Sequence, residues 1–315
     1  MKKIALIGEC MIELSGQPFG QMTQSYGGDT LNTAVYLSRL NPDLKPAYIT
    51  ALGEDSISQH MAEKWQVEGI DTQYVLIDPA HPTGLYMIQL DDAGERSFAY
   101  WRHQSAASQL LKHEQFSKIE QALMSFDFLY LSGISLAILD DEDRAKLISI
   151  LTDARHRGAR VIFDSNYRPS LWSSSLDAQH WYQAIVNISD YLLLTSDDEQ
   201  ALWGDKSLET TIQRLNQQSK AVVVIKQGAD GCSVGSLANW NNSVTHHPAS
   251  PVEKVIDTTS AGDSFNAGFI WGISEGLELG TSCQIGNLLA SKVIQYKGAI
   301  VPSPITDLLR DKLYE

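Results

Sequence analysis

With 315 residues, 43% of them hydrophobic, the chain is long enough for one large α/β core carrying a small appendage. Its formal net charge of −14 repels phosphate backbones and anionic lipid, which argues against nucleic-acid and membrane partners. No run approaches the roughly 18 apolar residues that span a bilayer, and no period of about 20 to 50 residues repeats.

The start, Met1-Lys2-Lys3 and an apolar run, superficially resembles a leader, but Glu9 and Glu13 interrupt it, and residues 3–7 read better as a buried strand. Next, Gly27-Gly28-Asp29-Thr30-Leu31-Asn32 runs from paired glycines into a helix over residues 31–40, with Asp29 or Thr30 as its cap. Paired glycines let a ligand approach the backbone closely, and Asp29 and Asn32 can hydrogen-bond sugar hydroxyls. Further apolar runs at residues 47–51, 128–131, 160–163, 191–194 and 221–225 alternate with helical patterns. In one of these, residues 140–156, Leu147, Ile150, Leu151 and Ala154 fall on one face, and Gly158 follows as a stop signal. Such alternation predicts a parallel sheet with helices on both faces.

Two segments, about residues 11–28 and 72–104, break the alternation and read as strands. The second contains a hairpin, residues 84–90 and 96–102, around a turn at Asp91-Asp92-Ala93-Gly94. Leu85, Met87 and Gln89 alternate with Tyr86, Ile88 and Leu90, so both faces are largely apolar. A hairpin of that kind covers a site, a partner subunit or both.

Toward the end, Asp257-Thr258-Thr259-Ser260-Ala261-Gly262-Asp263 is a loop of small residues opening onto a helix. The free N–H groups and positive dipole end of such a helix attract phosphate oxygens, which makes Ser260, Ala261 and Gly262 an anion cradle. Asp263 then stands where negative charge gathers, a costly position for a carboxylate without a task. Accepting the proton of an attacking hydroxyl is that task. Neither GxxxxGK[ST] nor GxGxxG occurs, so phosphate binding relies on a different device from the P-loop or the dinucleotide fold.

The two pieces together, Gly27-Gly28-x-x-x-Asn32 and Asp257 to Asp263, resemble the paired signatures of the ribokinase-like carbohydrate kinases. The resemblance runs over nearly the whole chain, through Ile7-Gly8-Glu9, Gly53-x-Asp55, Lys226-x-Gly228-x-x-Gly231 and Lys297-Gly298-Ala299. It implies one domain over residues 1–315, a doubly wound α/β unit with a small β lid, and the active site between them. The resemblance also implies ATP near Lys226, Gly228, Gly231, Asn287 and the loop of Ser260 and Gly262, with Mg²⁺ bridging the phosphates. Some relatives use a monovalent cation nearby, and many pair their lids in a homodimer. The chain departs from the family at Thr195 and Asp198, where many relatives carry Asn and Glu, and at Ser260, where glycine is common.

Longer segments, including residues 94–102, 130–139 and 166–169, resemble the branch of the family that phosphorylates the sugar acid 2-keto-3-deoxygluconate at its terminal hydroxyl. A sugar carboxylate calls for a guanidinium, and Arg102 and Arg168 are the candidates. Tyr86 and Tyr100 offer phenols and flat faces. The alternatives are another sugar kinase of the fructokinase or ribokinase type, or a non-catalytic sugar-binding protein on the same fold.

Other residues call for plainer roles. Cys10, Cys232 and Cys283 are far apart in sequence without a CxxC pair, which suits a reducing cytoplasm. His246-His247 reads as a solvated pair, Trp172, Trp181, Trp203 and Trp271 as core packing, and Asp197-Asp198-Glu199 as an acidic helix start.

Overall fold

The computed structural model describes residues 1–90 and 96–313. The turn expected at residues 91–94 lies outside the described residues.

A nine-stranded sheet forms the core. Its strands are β1 (Ile4–Ile7), β4 (Ala47–Gly53), β5 (Val75–Asp78), β8 (Phe128–Ser132), β9 (Arg160–Asp164), β10 (Tyr191–Thr195), β11 (Val222–Lys226), β12 (Cys232–Ser236) and β13 (Thr245–His247). They run in the order β13-β12-β11-β10-β9-β8-β1-β4-β5, and β12 alone opposes the others in direction. Each apolar run expected to be a strand lies in this sheet.

Alternation along the strands explains the layers. Ala5, Ile7, Leu129, Leu131, Val161 and Phe163 join one hydrophobic cluster, beneath the helices Asp141–His156 and Ser175–Ile188. Ile4, Leu6, Phe128, Tyr130 and Ile162 join another, beneath the helices Asp29–Leu40, Ala261–Ser274 and Leu279–Val293. Because successive side chains point to opposite faces, continuous apolar runs are what a sheet covered on both sides requires. Leu147, Ile150, Leu151 and Ala154 are buried as expected.

A second, four-stranded sheet is the lid, ordered β3-β2-β6-β7 from β2 (Met11–Gly16), β3 (Met22–Gly27), β6 (Leu85–Leu90) and β7 (Arg96–Trp101). It stands beside the end of the core sheet where the parallel strands terminate, the place at which doubly wound folds hold ligands.

One local expectation needs correcting. The cap of the Asp29–Leu40 helix is Gly28, in extended conformation and without a side-chain cap bond, rather than Asp29 or Thr30. Asp29 begins the helix itself, and its carboxyl receives the Thr30 N–H at 2.8 Å and Asn166 Nδ2 at 2.6 Å. Cys232 and Cys283, distant in sequence, meet thiol to thiol in the core as free, buried cysteines.

Candidate active site

Every residue singled out for catalysis, sugar or nucleotide lines one cavity of about 690 Å³ between core and lid. The Ala261–Ser274 helix supplies its floor. Ser260, immediately before it, adopts a left-handed conformation with φ +63°. Glycine takes that conformation without the steric cost a Cβ incurs. The Ala261 N–H turns back to Thr258 O at 3.2 Å, whereas no backbone acceptor takes the N–H of Gly262 or Asp263 among the described residues. Those two donors have the orphan character of a helix N-terminus.

Asp263 follows in the first turn. Asn32 Nδ2 donates to its Oδ2 at 2.8 Å. Burial, and secondarily the charge of Asp29, push its carboxyl up to about 7, against the lowering effect of the Asn32 hydrogen bond. Asp29 is itself raised by burial. The site thus holds a carboxylate that can take a proton near neutral pH.

The ends of the strands pair Lys226, expected at the site, with Asp164, which sequence reasoning missed. Asp164, last in β9, accepts from Lys226 Nζ at 2.9 Å, and Lys226, last in β11, also reaches Asn266 Oδ1 at 3.1 Å. A Cβ placed on Gly262 would lie 3.7 Å from Lys226 Nζ, so this ammonium sits next to the loop. Asp198 is raised by burial and by the charge of Asp164. The Ser165 hydroxyl donates to Asp198 at 3.0 Å and accepts from the Thr195 N–H at 3.2 Å, tying Asp198 to the end of β10. The signal for Asp164 was its place at the C-terminal end of a central strand. Asp197 was read as part of an acidic helix start, and Asp198 both as that and as a departure from the family; both residues line the cavity.

Beyond the end of β11, Gly228 and Gly231 shape the turn. Asn287 donates to the carbonyls of His247 and Pro248 at 3.2 and 3.1 Å, so its amide nitrogen also fastens the chain beyond β13. On the lid side, Tyr86, Phe98 and Tyr100 form an aromatic wall, with the rings of Phe98 and Tyr100 stacked at 6.1 Å. The Tyr86 hydroxyl is committed to Glu13. The arginines differ: Arg102 pairs with buried Glu9, while Arg168 is 53% exposed and meets Asp198 at 3.6 Å.

A model of the pfkB family carbohydrate kinases matches residues 1–306. The chain belongs to that family. Among curated members, it is 48% identical over 305 residues to the 2-dehydro-3-deoxygluconokinase of Haemophilus influenzae, covering 96% of each chain. It is 48% identical over 303 residues to the Escherichia coli K12 enzyme of the same name, covering 96% of this chain and 97% of that one. Among solved structures, a Vibrio cholerae fructokinase with fructose, ADP and calcium bound superposes with a TM-score of 0.81 at 25% identity, over 96% of each chain. This pfkB member is a sugar kinase with the ribokinase-like fold.

Among the described residues, no group of three or more His, Cys, Asp or Glu could hold a metal unaided. Mg²⁺ is commonly held by one or two carboxylates together with substrate phosphates, and Asp164 and Asp198 both line the cavity.

Proposed function

We propose that this kinase moves the γ-phosphate of ATP to the terminal 6-hydroxyl of 2-keto-3-deoxygluconate, the whole chain acting as one domain with the lid inserted. The observation that carries the reading is Asp263: half-buried in the cavity, near-neutral in proton affinity, held by Asn32 and adjoining the loop of Gly262. The two relatives at 48% identity, both 2-dehydro-3-deoxygluconokinases, support the sugar-acid substrate.

In this reading Asn32 holds the Asp263 carboxylate against the sugar hydroxyl. Asp263 takes the hydroxyl proton as the oxygen attacks the γ-phosphorus, and the bond from that phosphorus to the β-phosphate oxygen breaks, leaving ADP. The N–H groups of Gly262 and Asp263, with Lys226 beside them, receive the charge on the transferring oxygens. Gly228, Gly231 and Asn287 shape the nucleotide side. Asp164 and Asp198 would hold Mg²⁺, which supplies charge neutralisation of the phosphates when bound.

Arg168 faces the substrate carboxylate, and the rings of Tyr86 and Tyr100 close over the sugar. Trp101, 58% exposed on the lid, supports a homodimer formed through lid strands. Buried free thiols and ATP as donor suit the cytoplasm.

Coupled ATP turnover with 2-keto-3-deoxygluconate beside fructose, ribose and gluconate tests the reading. A clear preference for the keto-acid is expected. Preference for a neutral sugar overturns the substrate, and absence of turnover with any of them overturns the kinase mechanism.

A further inference from the structure

The chain passes between core and lid at residues 8–10, 27–28, 83–84 and 102–105, and Glu9 lies at each passage. A Cβ on Gly28 would collide with the Glu9 carbonyl oxygen, and one on Gly84 would lie 2.7 Å from Glu9 Oε1. The Glu9 carboxylate accepts from Arg102 Nη2 and from Ser105 Oγ. Its side chain is fully buried and that of Arg102 is 11% exposed. Charges so far from water persist only when paired and hydrogen-bonded, so neither side chain leaves its partner cheaply.

The pairing makes the two arginines of the cavity unequal. Glu9 already neutralises Arg102, whose buried Nε has no hydrogen-bond partner among the described residues. Arg168, half-exposed and loosely paired, retains its charge for a ligand.

We infer that Glu9 is a positioning residue for sugar recognition: it ties the core–lid passages together and holds Arg102 so that its remaining donors serve the sugar acid. The inference rests on the sugar-acid reading above. Arg102 contributes fixed donors, and Arg168 contributes net charge.

A double-mutant cycle of Glu9→Gln and Arg102→Gln, read as kcat, sugar KM and ATP KM, tests it. Glu9→Gln keeps the side-chain size and removes the charge. It should raise the sugar KM roughly tenfold or more and leave the ATP KM within about twofold, because uniform sugar binding is what it removes. Added to Arg102→Gln, it should change the sugar KM little, since the residue it acts through is gone. Additive effects, or equal rises in both KM values, would overturn the inference.

Where Glu9→Gln does not fold, Glu9→Asp carries the same cycle. It keeps the charge but withdraws it by one methylene, and the same non-additivity with Arg102→Gln is expected. Should the wild type prefer a neutral sugar, the substrate reading fails. The cycle run on that sugar then decides independently whether Glu9 acts through Arg102, with additivity again the overturning result.

Discussion

Asn32 Nδ2 donates to Asp263 Oδ2 at 2.8 Å across 231 positions of sequence. This bond joins the glycine-led helix near the start to the anion loop near the end, so the two halves of the family signature form a single site. It also favours the ionised carboxylate, while burial and Asp29 favour the protonated one. The balance leaves Asp263 able to change protonation near neutrality.

Asp263→Asn should keep the fold and nucleotide binding while lowering turnover by roughly 10² to 10⁴-fold. Turnover assays with calorimetry of ADP binding check this, and near-normal turnover would remove Asp263 from the mechanism. In the wild type, kcat/KM should rise with pH through about 7 as Asp263 ionises. Its raised proton affinity means the folded state binds more protons than the unfolded one between the ordinary carboxylate range and about 7. Stability from this group therefore falls as pH rises through that window. The Asn variant lacks the effect, so its Tm relative to wild type should improve from pH 4.5 to pH 8, a window chosen to bracket the shift to about 7.

Gly262→Val should abolish catalysis while leaving sugar affinity nearly intact. A Cβ at this position meets only Lys226 Nζ, at 3.7 Å, so the core tolerates the larger side chain. The isopropyl group instead occupies the space beside the N–H that a phosphate oxygen needs. Sugar binding measured calorimetrically alongside turnover separates the roles, and equal loss of both would make the loop structural.

Arg168→Ala should raise the KM for the sugar acid by roughly ten- to a hundredfold, the equivalent of about 1.5 to 3 kcal/mol for hydrogen bonds to a charged group. Arg168→Lys should recover part of this, because an ammonium keeps the charge but loses the two-pronged geometry. A neutral sugar at high concentration is the control and should be turned over at the same weak rate by both proteins. Equal damage to acid and neutral sugars would mean that Arg168 organises the site rather than holding a carboxylate.

Ser260→Gly should stabilise the protein by up to about 1 kcal/mol, because φ +63° costs an L-residue steric energy that glycine avoids. Activity should survive, since the backbone N–H groups are unchanged. Urea midpoints and turnover measured together check both halves, and a loss of stability would show that the serine hydroxyl holds the loop.

The amino-acid sequence alone determined the strands, because a sheet covered on both faces demands continuous apolar runs such as Val222–Lys226, visible without any partner. It also marked the loop of Ser260 to Gly262 and Asp263 as candidates, since a helix entry of small residues beside a lone carboxylate is a local pattern. Tertiary structure decided which charges remain available. Glu9 claims Arg102, Glu13 claims the Tyr86 hydroxyl, Asp164 claims Lys226, and Asn166 draws Asp29 away from capping its own helix. The near-neutral proton affinity of Asp263 belongs to the same class, being set by burial and by Asp29. Local sequence records which groups a residue carries, but pairing and desolvation act through space, at distances of a few ångströms between segments that the chain itself keeps 62 to 137 residues apart.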